Sequence, residues 1–169
     1  PPASASSTAP AAAEAPSSAA QAGDSWWDGI FDETQGIGLG TSLYTMHFNP
    51  KPEHNNHQHL IDLRWLWRSG YLVGFSHFQN SFDQPTQFAY LGRRWDIPHT
   101  GEMLYASLVG GLLHGYDGEH KDAIPLNDHG VAPGILPILG LRYQAVRSEI
   151  ILFGTAGLTL TLGVDLPLR

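Results

Sequence analysis

The sequence predicts an all-β fold, an eight-stranded antiparallel transmembrane β-barrel preceded by a short amphipathic N-terminal helix. Three observations predict it. From residue 36 onward, eight strand-like runs follow one another with turn signals between them. Tight links such as Ser69-Gly70 contrast with long ones at 49–58 and 117–132, an asymmetry shared with membrane barrels. Charged residues make only 15% of the chain, against roughly a quarter in soluble domains.

The 169 residues suffice for one domain of ordinary size. Residues 1–23 are Ala-, Ser- and Pro-rich with Glu14 as their one charge. Such a segment cannot bury enough surface to offset its ordering entropy, so it reads as a disordered tail, and residues 24–169 form the barrel domain. The tail has no basic region of the kind that opens a signal peptide. Asp24 or Ser25 can then cap a short helix on which Trp26, Trp27, Ile30 and Phe31 share a face. Paired tryptophans there suit a membrane interface or packing on a soluble core.

The strand runs fall at 37–48, 59–69, 71–80, 86–97, 102–116, 133–145, 148–155 and 158–167. In the second, Ile61, Leu63, Trp65 and Trp67 oppose Asp62, Arg64 and Arg68. In the fifth, Leu104, Ala106, Leu108 and Leu112 oppose Tyr105, Ser107 and Gly111. No apolar run approaches the ~20 residues of a spanning helix, but a closed barrel also satisfies its backbone within a membrane.

The formal net charge of −7 argues against a nucleic-acid partner, because phosphate binding needs a basic face. Cysteine is absent, which removes disulfides and thiolate chemistry. Gly36-Ile37-Gly38-Leu39-Gly40 lacks the strand–turn–helix setting of a nucleotide fingerprint and reads as a strand face under something bulky. His54, His57 and His59 have neither a metalloprotease spacing nor a cysteine partner, so they read as loop histidines, and no metal or other cofactor is expected.

His47 closes the first run, and Asn80-Ser81 closes the third. In an up-and-down barrel both ends reach the same rim. His47 can there act as base toward the Ser81 hydroxyl, with Asn80 orienting the ring or holding oxyanion charge.

From about Ser25 onward, the chain resembles the PagP family of outer-membrane lipid A palmitoyltransferases. Tyr44-Thr45-Met46-His47 matches the segment that carries the family's catalytic His, and Asn80-Ser81 falls where the family has Asp-Ser. Gly92, in Ala89-Tyr90-Leu91-Gly92, matches a glycine at the floor of the family's acyl pocket. Val131 to Leu141 resembles its proline-bearing region of lateral lipid access, with Pro133 and Pro137 as the matching prolines.

The resemblance implies transfer of a palmitoyl chain from a phospholipid donor to lipid A by a monomer in the bacterial outer membrane. His47, Asn80 and Ser81 are then catalytic, and no cofactor is needed. Phe88, Tyr90 and Gly92 share a strand face and would line the acyl pocket, with Gly92 as its floor about seven residues, or roughly 20 Å, below the rim at Pro85. Asn80 in place of Asp deprives the His of a negative partner. Two other readings share the strand pattern: a non-catalytic small outer-membrane barrel, and a lipocalin-like soluble lipid binder.

Overall fold

The computed structural model describes residues 33–52 and 54–168. The 1–23 segment and the helix expected from Asp24 lie outside the described residues. The strands are β1 (Thr34–His47), β2 (Ile61–Trp67), β3 (Tyr71–Gln79), β4 (Pro85–Asp96), β5 (Leu104–His114), β6 (Val131–Tyr143), β7 (Val146–Phe153) and β8 (Gly157–Pro167). Each pairs antiparallel with the next, and β8 returns to β1 to close the barrel. The rim at which β1 ends, here the upper rim, carries the loops 48–60, 80–84, 115–130 and 154–156. A 3₁₀ turn at Gly118–Ala123 stiffens the third of these.

Alternation along the strands is inverted relative to a soluble barrel. Asp62 and Arg64 are 4% and 6% exposed, whereas Ile61 and Leu63 between and beside them are 65% and 51% exposed. The fifth strand repeats the pattern, with Tyr105 and Ser107 inside and Leu108 and Leu112 outside. Because successive side chains take opposite faces, a strand that turns its charges inward must turn its leucines outward.

Asp62, Arg64, Arg147 and Glu149 form one charged layer across the barrel. Arg64 grips Glu149 through two parallel hydrogen bonds of 2.7 and 2.8 Å, and its Nε donates to Asp62 at 3.0 Å. Arg147 lies 3.5 Å from Asp62 and 3.1 Å from Asp165. Tyr105 donates to Glu149 at 2.8 Å. Tyr90 and Ser76 donate to Asp62 at 2.5 and 2.8 Å. The β1 glycines make room for this layer: a Cβ at Gly38 would meet the Arg64 stem, and one at Gly40 the Arg147 guanidinium. Those arginines are the bulky partners expected above the glycine face.

A buried ion pair that loses one member leaves the other charge uncompensated. Glu149→Leu is therefore expected to lower the unfolding free energy by about 3–5 kcal/mol, read from urea unfolding of the refolded barrel.

Above the charged layer the interior turns apolar. Leu60, Phe78, Phe88, Leu113, Ile138 and Ile151 form the cluster, and Tyr116 and Ile124 of the 115–130 loop pack on it from above. Burial pushes the Tyr116 phenol up to about 12, so it remains a neutral cover at working pH. Strand pairing in the wall is incomplete between β6 and β7. β6 pairs with β7 only from Ile138 to Tyr143, so residues 131–137 have no partner on β7. Pro133 and Pro137 both lie in that stretch, opposite Leu112 and Leu108 of β5.

Candidate active site

His47 reaches the barrel interior because β1 is irregular. Gly36, Gly38 and Gly40 face inward, so strict alternation would send residues 45 and 47 outward. A register shift between Ser42 and Tyr44 against β8 reverses the parity, placing Thr45 opposite Thr159 and His47 opposite Gly157 on the inner face. Bulges recur where a side chain must be re-aimed. Thr45 and Thr159, both buried, share a 2.7 Å hydrogen bond under the His.

The loop 48–60 then doubles back between β1 and β3. Thr45 N donates to the Asn56 carbonyl at 2.9 Å, Gln79 N to the Gln58 carbonyl at 2.8 Å, and Asn55 N to the Ser81 carbonyl at 2.9 Å. The Asn55 side chain adds a 2.7 Å bond to Asp83. One loop is thus stitched to both strand ends that carry the candidate residues.

These links bring His47 and Ser81 together. His47 Nε2 lies 2.7 Å from Ser81 Oγ, and its Nδ1 lies 2.9 Å from Asn56 Oδ1. With a carbonyl oxygen at Nδ1, that nitrogen carries the ring proton and donates it. The Nε2 lone pair is left to accept from the Ser81 hydroxyl. The result is a hydroxyl, a base within hydrogen-bond reach and a third group that orients the base.

Asn80 does not touch the ring. Its side chain is fully buried and all four of its hydrogen-bond positions are taken within the turn and its neighbour. Oδ1 accepts from Phe82 N at 2.9 Å and Gln84 N at 3.1 Å. Nδ2 donates to Gln84 Oε1 at 3.2 Å and to the Gly115 carbonyl at 3.3 Å. It therefore has no capacity left for the ring or for an oxyanion; it shapes the turn that presents Ser81. The orienting role expected of Asn80 falls spatially to Asn56. Nothing in the spacing marked Asn56, since it sits in a run of histidines and amides whose path only the folded loop reveals.

Removing Asn56 should cost roughly one hydrogen bond of orientation, about 1 kcal/mol. Asn56→Ala is expected to slow whatever reaction His47 and Ser81 perform by about 2- to 13-fold, with little change in melting temperature.

The histidines of the loop do not converge. Among the described residues no group of three His, Asp or Glu side chains is placed to hold a metal ion. His54 instead packs on the His47 ring at 4.3 Å between centroids, and His57 meets Tyr44 edge-on at 5.7 Å. Phe82, next to Ser81, stacks on His120 at 3.9 Å, which ties the Ser81 turn to the 115–130 loop.

Beneath this rim lies a narrow, partly open cavity. Phe78, three residues before Ser81, and Leu60, four after Asn56, belong to its walls. On one side it rests against the strand gap, between Leu136 of β6 and Phe153 of β7. Phe88 and Tyr90 line it as expected from their shared face. Gly92 does not. A Cβ there would meet the Leu108 carbonyl of β5 and stand 2.7 Å from Val109 Cγ1, so the Val109 side chain already fills the space toward the interior.

No protein-family model matches the chain, and no curated protein sequence matches it either.

Proposed function

We propose that this chain is an outer-membrane acyltransferase that moves an acyl chain from a phospholipid to lipid A, as its resemblance to the PagP family implies. The observation that carries the reading is the His47–Ser81 hydrogen bond of 2.7 Å on the rim above an apolar interior chamber. A hydroxyl paired with a base can cleave an ester whose acyl tail is held below it.

Membrane insertion is supported by the inverted alternation. Leucine, isoleucine and phenylalanine side chains face outward from the strands, and the charges are internal. A soluble lipid binder has the opposite polarity, so the lipocalin-like reading is the weaker one. The break in β6–β7 pairing beside Pro133 and Pro137 suits sideways access for a lipid tail, since proline cannot donate to a ladder.

In the reaction, a hydroxyl attacks the sn-1 ester carbonyl of the phospholipid and its proton passes to His47 Nε2. The bond between the carbonyl carbon and the glycerol oxygen breaks, and the glycerol oxygen takes that proton to leave a lysophospholipid. If Ser81 is the attacking hydroxyl, an acyl-Ser81 ester forms and is then transferred to lipid A in the same manner. If a lipid A hydroxyl attacks directly, Ser81 relays its proton to His47. An acyl adduct on Ser81 during turnover assigns the first route, and its absence the second.

The test is to incubate the detergent-purified, folded chain with lipid A and a phospholipid mixture that includes sn-1 palmitoyl species, reading products by mass spectrometry beside Ser81→Ala. Lipid A that gains one acyl group, lost in the variant, supports the enzyme. No acyl gain from well-folded protein would favour the non-catalytic barrel.

A further inference from the structure

The level at which the chamber ends bears on its substrate. Its upper walls are apolar, made by Phe78, Phe88, Leu113, Leu136, Ile151 and Phe153. Its lower walls are Asp62, Arg64, Arg147 and Glu149, with the Tyr90 ring over them. The change is abrupt along single strands. On β7, Phe153 and Ile151 are followed on the same face by Glu149 and Arg147, and Leu60, at the entry to β2, is followed by Asp62 and Arg64.

These lower groups are already bonded to one another. Tyr90 and Ser76 donate to Asp62, and Arg64 bridges Asp62 and Glu149. A methylene pushed into the layer would have to separate buried opposite charges, which is far more costly than leaving that methylene outside. The Tyr90 ring is also held in place from behind, because it occupies the space that a Cβ at Gly74 would need.

We propose that Tyr90 and the charged layer under it, rather than Gly92, end the acyl chamber, so that the chain it accepts is shorter than palmitoyl. This inference rests on the acyltransferase reading. From Pro85 to Gly92 the strand runs seven residues, ~23 Å, whereas Pro85 to Tyr90 is five residues, ~16 Å. A floor raised by about a third shortens the best-fitting chain from palmitoyl to about ten to twelve carbons.

The experiment offers the refolded full chain lipid A and an equimolar series of phosphatidylethanolamines with sn-1 chains from octanoyl to stearoyl. Mass spectrometry then reads which acyl group lipid A gains. Lauroyl-range transfer is expected to exceed palmitoyl transfer by about tenfold or more, each excluded methylene being worth about fourfold. Tyr90→Ala is expected to move the optimum to longer chains and Gly74→Ala, which pushes the ring inward, to shorter ones. Tyr90→Phe keeps the ring and the optimum. The position of the optimum does not depend on how much of a variant folds. A wild-type optimum at palmitoyl would overturn the inference while leaving the enzyme intact, as would an optimum that Gly92→Ala moves and Tyr90→Ala does not. Transfer at no chain length would overturn the acyltransferase reading and this inference with it.

Discussion

Acyl transfer by the His47→Ala protein is expected to fall by about 10²- to 10⁴-fold, the usual worth of a positioned general base. The side chain makes two hydrogen bonds in the site, one to Ser81 and one to Asn56. It is not a member of the buried charged layer that closes the interior. Its loss should therefore leave the barrel folded, as judged by urea unfolding and by the altered gel mobility of an unheated barrel. The rate is read as acyl gain on lipid A per unit of folded protein. Ser81→Ala should fall into the same range, and the double variant should be hardly worse than either single one, because the two groups act as a unit. Undiminished transfer in both single variants would make the hydrogen-bonded pair incidental.

The second large effect runs against what the family resemblance implies. An Asp at position 80 would give His47 a negative partner if the side chain reached the ring, and transfer would then rise. The fold places the Asn80 amide elsewhere. Its Nδ2 donates to Gln84 and to the Gly115 carbonyl, and it is wholly buried. Asn80→Asp removes both donors, leaves two acceptors facing a carboxylate and buries a charge. The buried Gly115 carbonyl that loses its donor costs about 1–3 kcal/mol, and the buried carboxylate adds to that cost. Ser81 is a central residue of that turn, which Asp83 N closes on the Asn80 carbonyl at 3.1 Å. Transfer is expected to drop tenfold or more, by the ~1.4 kcal/mol-per-decade relation, with a lowered unfolding midpoint. A faster Asn80→Asp enzyme of undiminished stability would return Asn80 to the role of electrostatic partner.

The barrel was legible in the sequence because alternation is a local property. Asp62 and Arg64 opposite Ile61, Leu63 and Trp65 reveal two faces within one strand, whatever its neighbours are. The glycines at 36, 38 and 40 likewise announced a crowded inner face. That His47 and Ser81 reach the same rim followed from strand order, since the first and third strands of an up-and-down barrel end there.

What the tertiary structure decided depends on pairing and on loop paths. Counted from Gly40, His47 has outward parity, and only the bulge against β8 turns it inward. Asn56 and Asn80 are indistinguishable as candidate partners of the ring until the 48–60 loop is seen crossing between β1 and β3. The charged layer proposed as the chamber floor could not be read from β4 by itself, because side chains from β2, β4 and β7 meet in it across the barrel. Alternation is written in each strand by itself. A register shift, the choice of hydrogen-bond partner and the height of a floor exist only between strands, and there the fold had the last word.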